Sequence, residues 1–214
     1  MTNRKAFVFD TALRLTVLTG VKARSLLELR AELPRVPLSS IFMHTHQDYL
    51  AHDFQRTQPY NDFARWVSGT LREEALAEKL AAIDLLAFTT LEELRDELIG
   101  TIDHYMEALG RPGYECRPEE AFHFCRSRSF VLPTGLVAED VPDFFQKVAS
   151  ISNASLYFHF FEARLRLGRR TNDFSRWLGD QGRGDLATTI DGLNPYTRTL
   201  DELREDIVRI GSAA

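Results

Sequence analysis

The chain has 214 residues, 44% of them hydrophobic and 27% charged, with a formal net charge of −5. This composition suffices for a sizeable core and excludes a disordered chain. The acidic balance argues against a nucleic-acid backbone as the main partner, because that binding is driven by clustered Lys and Arg displacing counterions.

Sliding the chain along itself reveals internal similarity, so the elements are read in pairs. At a displacement of 115 positions, Ala6-Phe7-Val8-Phe9 falls on Ala121-Phe122-His123-Phe124, and Thr19-Gly20 on Thr134-Gly135. Each segment opens with apolar residues on alternate positions: Phe7, Phe9, Leu13, Leu15 and Val17, then Phe122, Phe124, Phe130 and Leu132. A period of two predicts a strand, and the Thr-Gly pair predicts a turn that ends it. Ser25 and Asp140 follow as N-caps of a short helix.

The same displacement puts Ser40-Ile41-Phe42-Met43-His44 on Ser155-Leu156-Tyr157-Phe158-His159, predicting a histidine-bearing helix in each half. At 111 positions, Asn61-Asp62-Phe63-Ala64-Arg65-Trp66 falls on Asn172-Asp173-Phe174-Ser175-Arg176-Trp177, predicting a third helix capped by Asn or Asp. The change of displacement places four extra residues between His44 and Asn61, about one helical turn. A fourth helix is expected from about Glu73 to Ile83. The last is announced by Thr90-Leu91-Glu92-Glu93 and by Thr199-Leu200-Asp201-Glu202, both capping boxes.

The fold expected is therefore mainly α with short strands, a tandem duplication of a helical module packed with pseudo-twofold symmetry. Copy one spans residues 1–108, the Gly- and Pro-rich stretch 109–119 is a linker, and copy two spans 120–214, together forming one compact body. Runs such as Leu156–Phe161 are broken by His159 and fall far short of the ~20 residues a membrane span needs, so no membrane association is expected. The apolar stretch near Met1 is too short for a secretory core, which makes a cytoplasmic location the expectation. Cys116 and Cys125 have neither the number nor the spacing of a disulfide scaffold and are expected as free thiols.

Two functional readings compete over the polar residues. His44 and His159, with Glu162 three residues on, and with Asp62 and Asp173, are the residue types of a helical-core site for Zn, Fe or Mn. Gln47 stands where copy two has Glu162, and the His-x-x-Glu order reverses that of di-iron bundles. In the competing reading each histidine is a core residue hydrogen-bonded to Asp62 or Asp173, or to a backbone carbonyl, because buried imidazole among aromatics needs a partner. His46, His52, His104 and His123 are expected at the surface. Arg164, Arg166, Arg169 and Arg170 have no basic counterpart in copy one and are candidates for contact with an anion or a partner.

No P-loop, G-x-G-x-x-G, nucleophile elbow or paired C-x-x-C occurs. The preferred function is a non-catalytic binding or scaffold protein, with a protein or an anionic small molecule as partner and a homo-oligomer compatible with it. The alternative is a metal- or small-ligand-dependent enzyme with its site at the pseudo-twofold axis, where the two histidine helices would meet. Through the Ser155–Arg166 and Asn172–Leu178 blocks, and through Phe130–Gly135 and the Thr-Leu-Asp-Glu-Leu-Arg block, the chain resembles an uncharacterised bacterial family of unknown function. The resemblance implies an intracellular bacterial protein and brings no catalytic residues with it.

Overall fold

The structure, a computed structural model, describes residues 5–46, 61–110, 113–163, 168 and 171–213. Strand β1 (Phe7–Ala23) leads to helices α1 (Leu26–Glu32), α2 (Leu38–His46), α3 (Asp62–Trp66), α4 (Glu74–Ala81) and α5 (Leu91–Leu109). Strand β2 (Phe122–Ala138) leads to α6 (Val141–Val148), α7 (Asn153–Tyr157), α8 (Asp173–Asp180), α9 (Gly184–Asp191) and α10 (Leu200–Ser212). Helix α3 runs directly into a π-helical turn, Val67–Leu71, and α7 into another, Phe158–Glu162.

The mainly helical character stands, but short strands and two modules packed about a pseudo-twofold do not describe this chain. Each strand has 17 residues, and the two pair as one two-stranded sheet. Thr19, near the end of β1, donates its hydroxyl to the carbonyl of Phe124, near the start of β2, at 2.7 Å. Thr134, near the end of β2, donates to Phe9 near the start of β1, so the strands run antiparallel.

The strands outlast their expected ends for a physical reason. Gly20 and Gly135 have φ of +84° and +79°, which glycine adopts without a Cβ penalty, so the chain kinks and continues instead of turning back. The preceding threonine holds the kink, since each Thr hydroxyl also accepts the N–H two residues on, at 3.2 Å.

The chain divides into two compact units. One consists of Met1–Arg14 with Ser129–Ala214, the other of Leu15–Arg128. In the first, Phe7 and Phe9 of β1 pack on Phe144 of α6, at 5.3 and 5.6 Å between ring centroids, and Phe7 also meets Phe174 and Trp177 of α8. In the second, Phe122 of β2 packs on Phe63 and Trp66 of α3 at 5.2 and 5.6 Å. Each helical set is thus completed by the strand segment from the other half of the sequence. A two-stranded ribbon alone is marginal in water, so these aromatic contacts are what hold it.

Local signals set the helices. Ser25 and Asp140 accept the N–H of Glu28 and Asp143 at 3.2 and 2.9 Å. Asn61 and Asn172 cap α3 and α8 through Ala64 and Ser175, both at 2.9 Å. Thr90 and Thr199 form complete capping boxes with Glu93 and Glu202. Among the described residues, no helix is long and apolar enough to cross a membrane.

Candidate functional site

Both conspicuous histidines are buried, His44 at 6% and His159 at 4% exposure. In the Leu15–Arg128 unit, His44 Nδ1 lies 2.8 Å from Asp62 Oδ2, and its Nε2 lies 2.9 Å from the backbone nitrogen of Cys125. In the other unit, His159 Nδ1 lies 2.9 Å from Asp173 Oδ2, and Nε2 lies 2.8 Å from the backbone nitrogen of Asp10. A main-chain N–H can only donate, so each Nε2 must be the acceptor nitrogen and each Nδ1 must carry the proton given to the carboxylate. Each of these two imidazoles therefore links three elements: its own helix, the helix opened by the Asn-Asp-Phe block, and a strand.

This geometry decides what the clusters can do chemically. A neutral imidazole has one lone pair, and here the backbone amide occupies it, leaving none for a metal ion or for a substrate proton. Among the described residues no three His, Cys, Asp or Glu side chains gather as a cation site. The residues proposed for Zn, Fe or Mn thus do not fit such an ion. Asp62, His44 and Cys125 also follow the order of an acid, a base and a nucleophile, yet it is the amide of Cys125 that meets the ring. The Cys125 thiol donates to the His123 carbonyl at 3.5 Å, and burial, with the charge of Asp62, pushes its pKa up rather than toward thiolate.

Glu162 is 5% exposed and pairs with the Nε of Arg14, while Ser129 donates to the same oxygen at 3.1 Å. The Arg14 guanidinium lies 4.6 Å above the ring of Tyr157. Glu162 is thereby committed to an internal cation, a partnership that its spacing from His159 did not reveal. Asp62 is shared between His44 and Arg65, whose Nη1 lies 2.8 Å from Oδ1.

Arg164, Arg166, Arg169 and Arg170 lie outside the described residues, as do Gln47 and His52. His104 and His123 are exposed as expected. His46 is not: it is fully buried, stacked on Phe42 one turn earlier at 4.4 Å, with Thr45 Oγ1 at 2.6 Å from its Nδ1. Both cysteines are free thiols. Burial raises the pKa of Cys116 as well.

Sequence reading missed a groove in the Leu15–Arg128 unit. It has a volume of about 510 Å³ between the end of α4, the following loop and α5, and is lined in part by Lys79, Asp84, Glu97 and His104. The signal that finds it is the pairing of the caps Thr90 and Thr199: this sets Gly100 against Arg209 and Thr89 against Arg198.

No curated protein matches this chain. Residues 4–212 match the model of a family of unknown function, DUF5752, and the chain belongs to that family. It is similar to a solved structure, OrfY from Thermoproteus tenax, with 29% identity and a TM-score of 0.84, over 100% of this chain and 97% of that one.

Proposed function

We propose that this protein is a non-catalytic, cytoplasmic binding or scaffold protein whose partner is a protein or an anionic small molecule. The observation that carries this reading is the use of both ring nitrogens of His44 and of His159 in hydrogen bonds within the fold. The residues that look most like catalytic machinery are spent on holding strands to helices. Glu162, the nearest buried acid to His159 in sequence, is spent on Arg14.

The test assays the purified chain against hydrolase, phosphatase and oxidoreductase substrates, with and without added Zn, Fe or Mn, beside elemental analysis after desalting. The expected result is no turnover and no retained stoichiometric metal. Turnover that disappears in His159→Ala, or near-stoichiometric metal lost in His44→Ala/His159→Ala, would overturn the proposal.

A further inference from the structure

The groove beside α5 is informative because the chain contains a filled counterpart. Counting from the capping threonines, Glu97 on α5 and Asp206 on α10 occupy the same helical position, seven residues in. The flanking core positions agree: Leu91, Leu94 and Leu98 are buried on one helix, Leu200, Leu203 and Ile207 on the other. The surroundings of the two acids differ. Asp206 is clamped between Arg198 and Arg209, which leave its side chain 8% exposed. Glu97 is exposed and, among the described residues, makes no ion pair.

Two substitutions account for this. The position of Arg209 is Gly100, where an added Cβ would meet nothing within 4 Å, and the position of Arg198 is Thr89. Both guanidinium groups that cover the carboxylate in one unit are therefore absent from the other, and at Gly100 open space stands where an arginine side chain would begin. Asp84 adds a second carboxylate to the wall, Ile83 and Phe88 add apolar surface, and Lys79 and His104 line the remainder. Lys79 lies 6.0 Å from the ring of Tyr105, and His104 Nδ1 bonds the Gly100 carbonyl at 2.7 Å.

We propose that this groove is a binding site for a guanidinium group, held by Glu97 and Asp84 as Arg198 and Arg209 are held by Asp206. A planar fork with five donors suits a carboxylate better than an ammonium does, and its aliphatic stem packs on Ile83 and Phe88. The proposal rests on the reading of the chain as a binding protein and names the ligand chemistry of one site on it.

The experiment is an amide NMR titration of the full chain with N-acetyl-arginine amide, with the lysine analogue, and with a short peptide carrying one central arginine. The arginine probes should saturably shift amides of residues 79–88 and 97–104, with the lysine analogue weaker. Glu97→Gln should weaken binding about tenfold, as expected on losing a charge-assisted pair. Gly100→Arg, which installs the arginine found at the matching place on α10, should abolish it while the protein stays folded. Equal affinity for amide and peptide identifies a free small ligand, and tighter binding of the peptide identifies an arginine-bearing protein segment. No saturable shift in that region, or shifts unchanged in both variants, overturns this site. Binding that maps elsewhere does the same while leaving the broader reading intact, and only turnover in the separate assay removes that.

Discussion

His159 accepts the backbone N–H of Asp10, 149 positions earlier in the chain, at 2.8 Å. The bond joins the first strand to a helix of the second half, and Asp173 on the far side of the ring fixes the tautomer that makes it possible. His159→Phe keeps an aromatic ring among Phe7, Phe158 and Phe174 but leaves the Asp10 amide and one Asp173 oxygen without this partner. A loss of about 1–3 kcal/mol in urea unfolding is expected, the usual cost of stranding a buried polar group. Amide exchange should accelerate at Asp10 and not at Cys125, whose acceptor is His44. Equal exchange at Asp10 in both proteins would show that the hydrogen bond contributes nothing.

Arg14 and Glu162 form a pair whose side chains are only 17% and 6% exposed. Removing one member strands the other's charge, whereas removing both removes the desolvation cost as well. Glu162→Leu alone should destabilise by about 3–5 kcal/mol, and Arg14→Met/Glu162→Leu should recover most of that loss. A double-mutant cycle by denaturant unfolding measures the difference. Additive losses would mean that the two side chains do not act as a pair.

The sequence told most about what is local. The caps at Ser25, Asp140, Asn61, Asn172, Thr90 and Thr199 are written in residue types with fixed spacing, and the helices begin where those caps sit. The length of the strands was hidden, because Thr-Gly is a turn signal, whereas here the threonine hydroxyl bonds the partner strand and the glycine only kinks the chain. Which helices each strand covers was hidden too. Phe7-x-Phe9 and Phe122-x-Phe124 share one pattern, so nothing in them tells which set of helices each packs against. The acids beside His44 and His159 were legible from spacing, but the second partner of each ring is a main-chain amide, which no residue type marks.

Asp185 is a surface test of local charge. Its hydrogen bonds with Arg183, at 2.7 and 3.0 Å, bring its pKa down to about 2. A carboxylate held below its unfolded value contributes stability that is present above about pH 4 and is lost as pH falls toward 2. Following the Asp185 side-chain carbon by NMR in Arg183→Ala should show its midpoint returning upward toward the ordinary carboxylate range. With Asp185 solvent-exposed, the melting temperature should barely change. A midpoint that stays near 2 in the variant would assign the depression to the helix N-terminus rather than to Arg183.

Gly211 makes the sharpest packing prediction. It lies in the last turn of α10, where a built Cβ would fall inside the ring of Phe145 on α6, a side chain itself only 8% exposed. Helix α10 packs on α6 at this point, so the close approach of the two helices depends on the missing methyl. Alanine normally favours a helix interior over glycine by ~1 kcal/mol, and here overpacking should outweigh that gain. Gly211→Ala is expected to destabilise by about 1–3 kcal/mol without a change in the denaturant m-value. Phe145→Leu, which shortens the obstructing side chain, should make the same glycine substitution less costly. If Gly211→Ala instead raises stability in the wild-type background, helix propensity governs this end of α10 and the contact with Phe145 is loose.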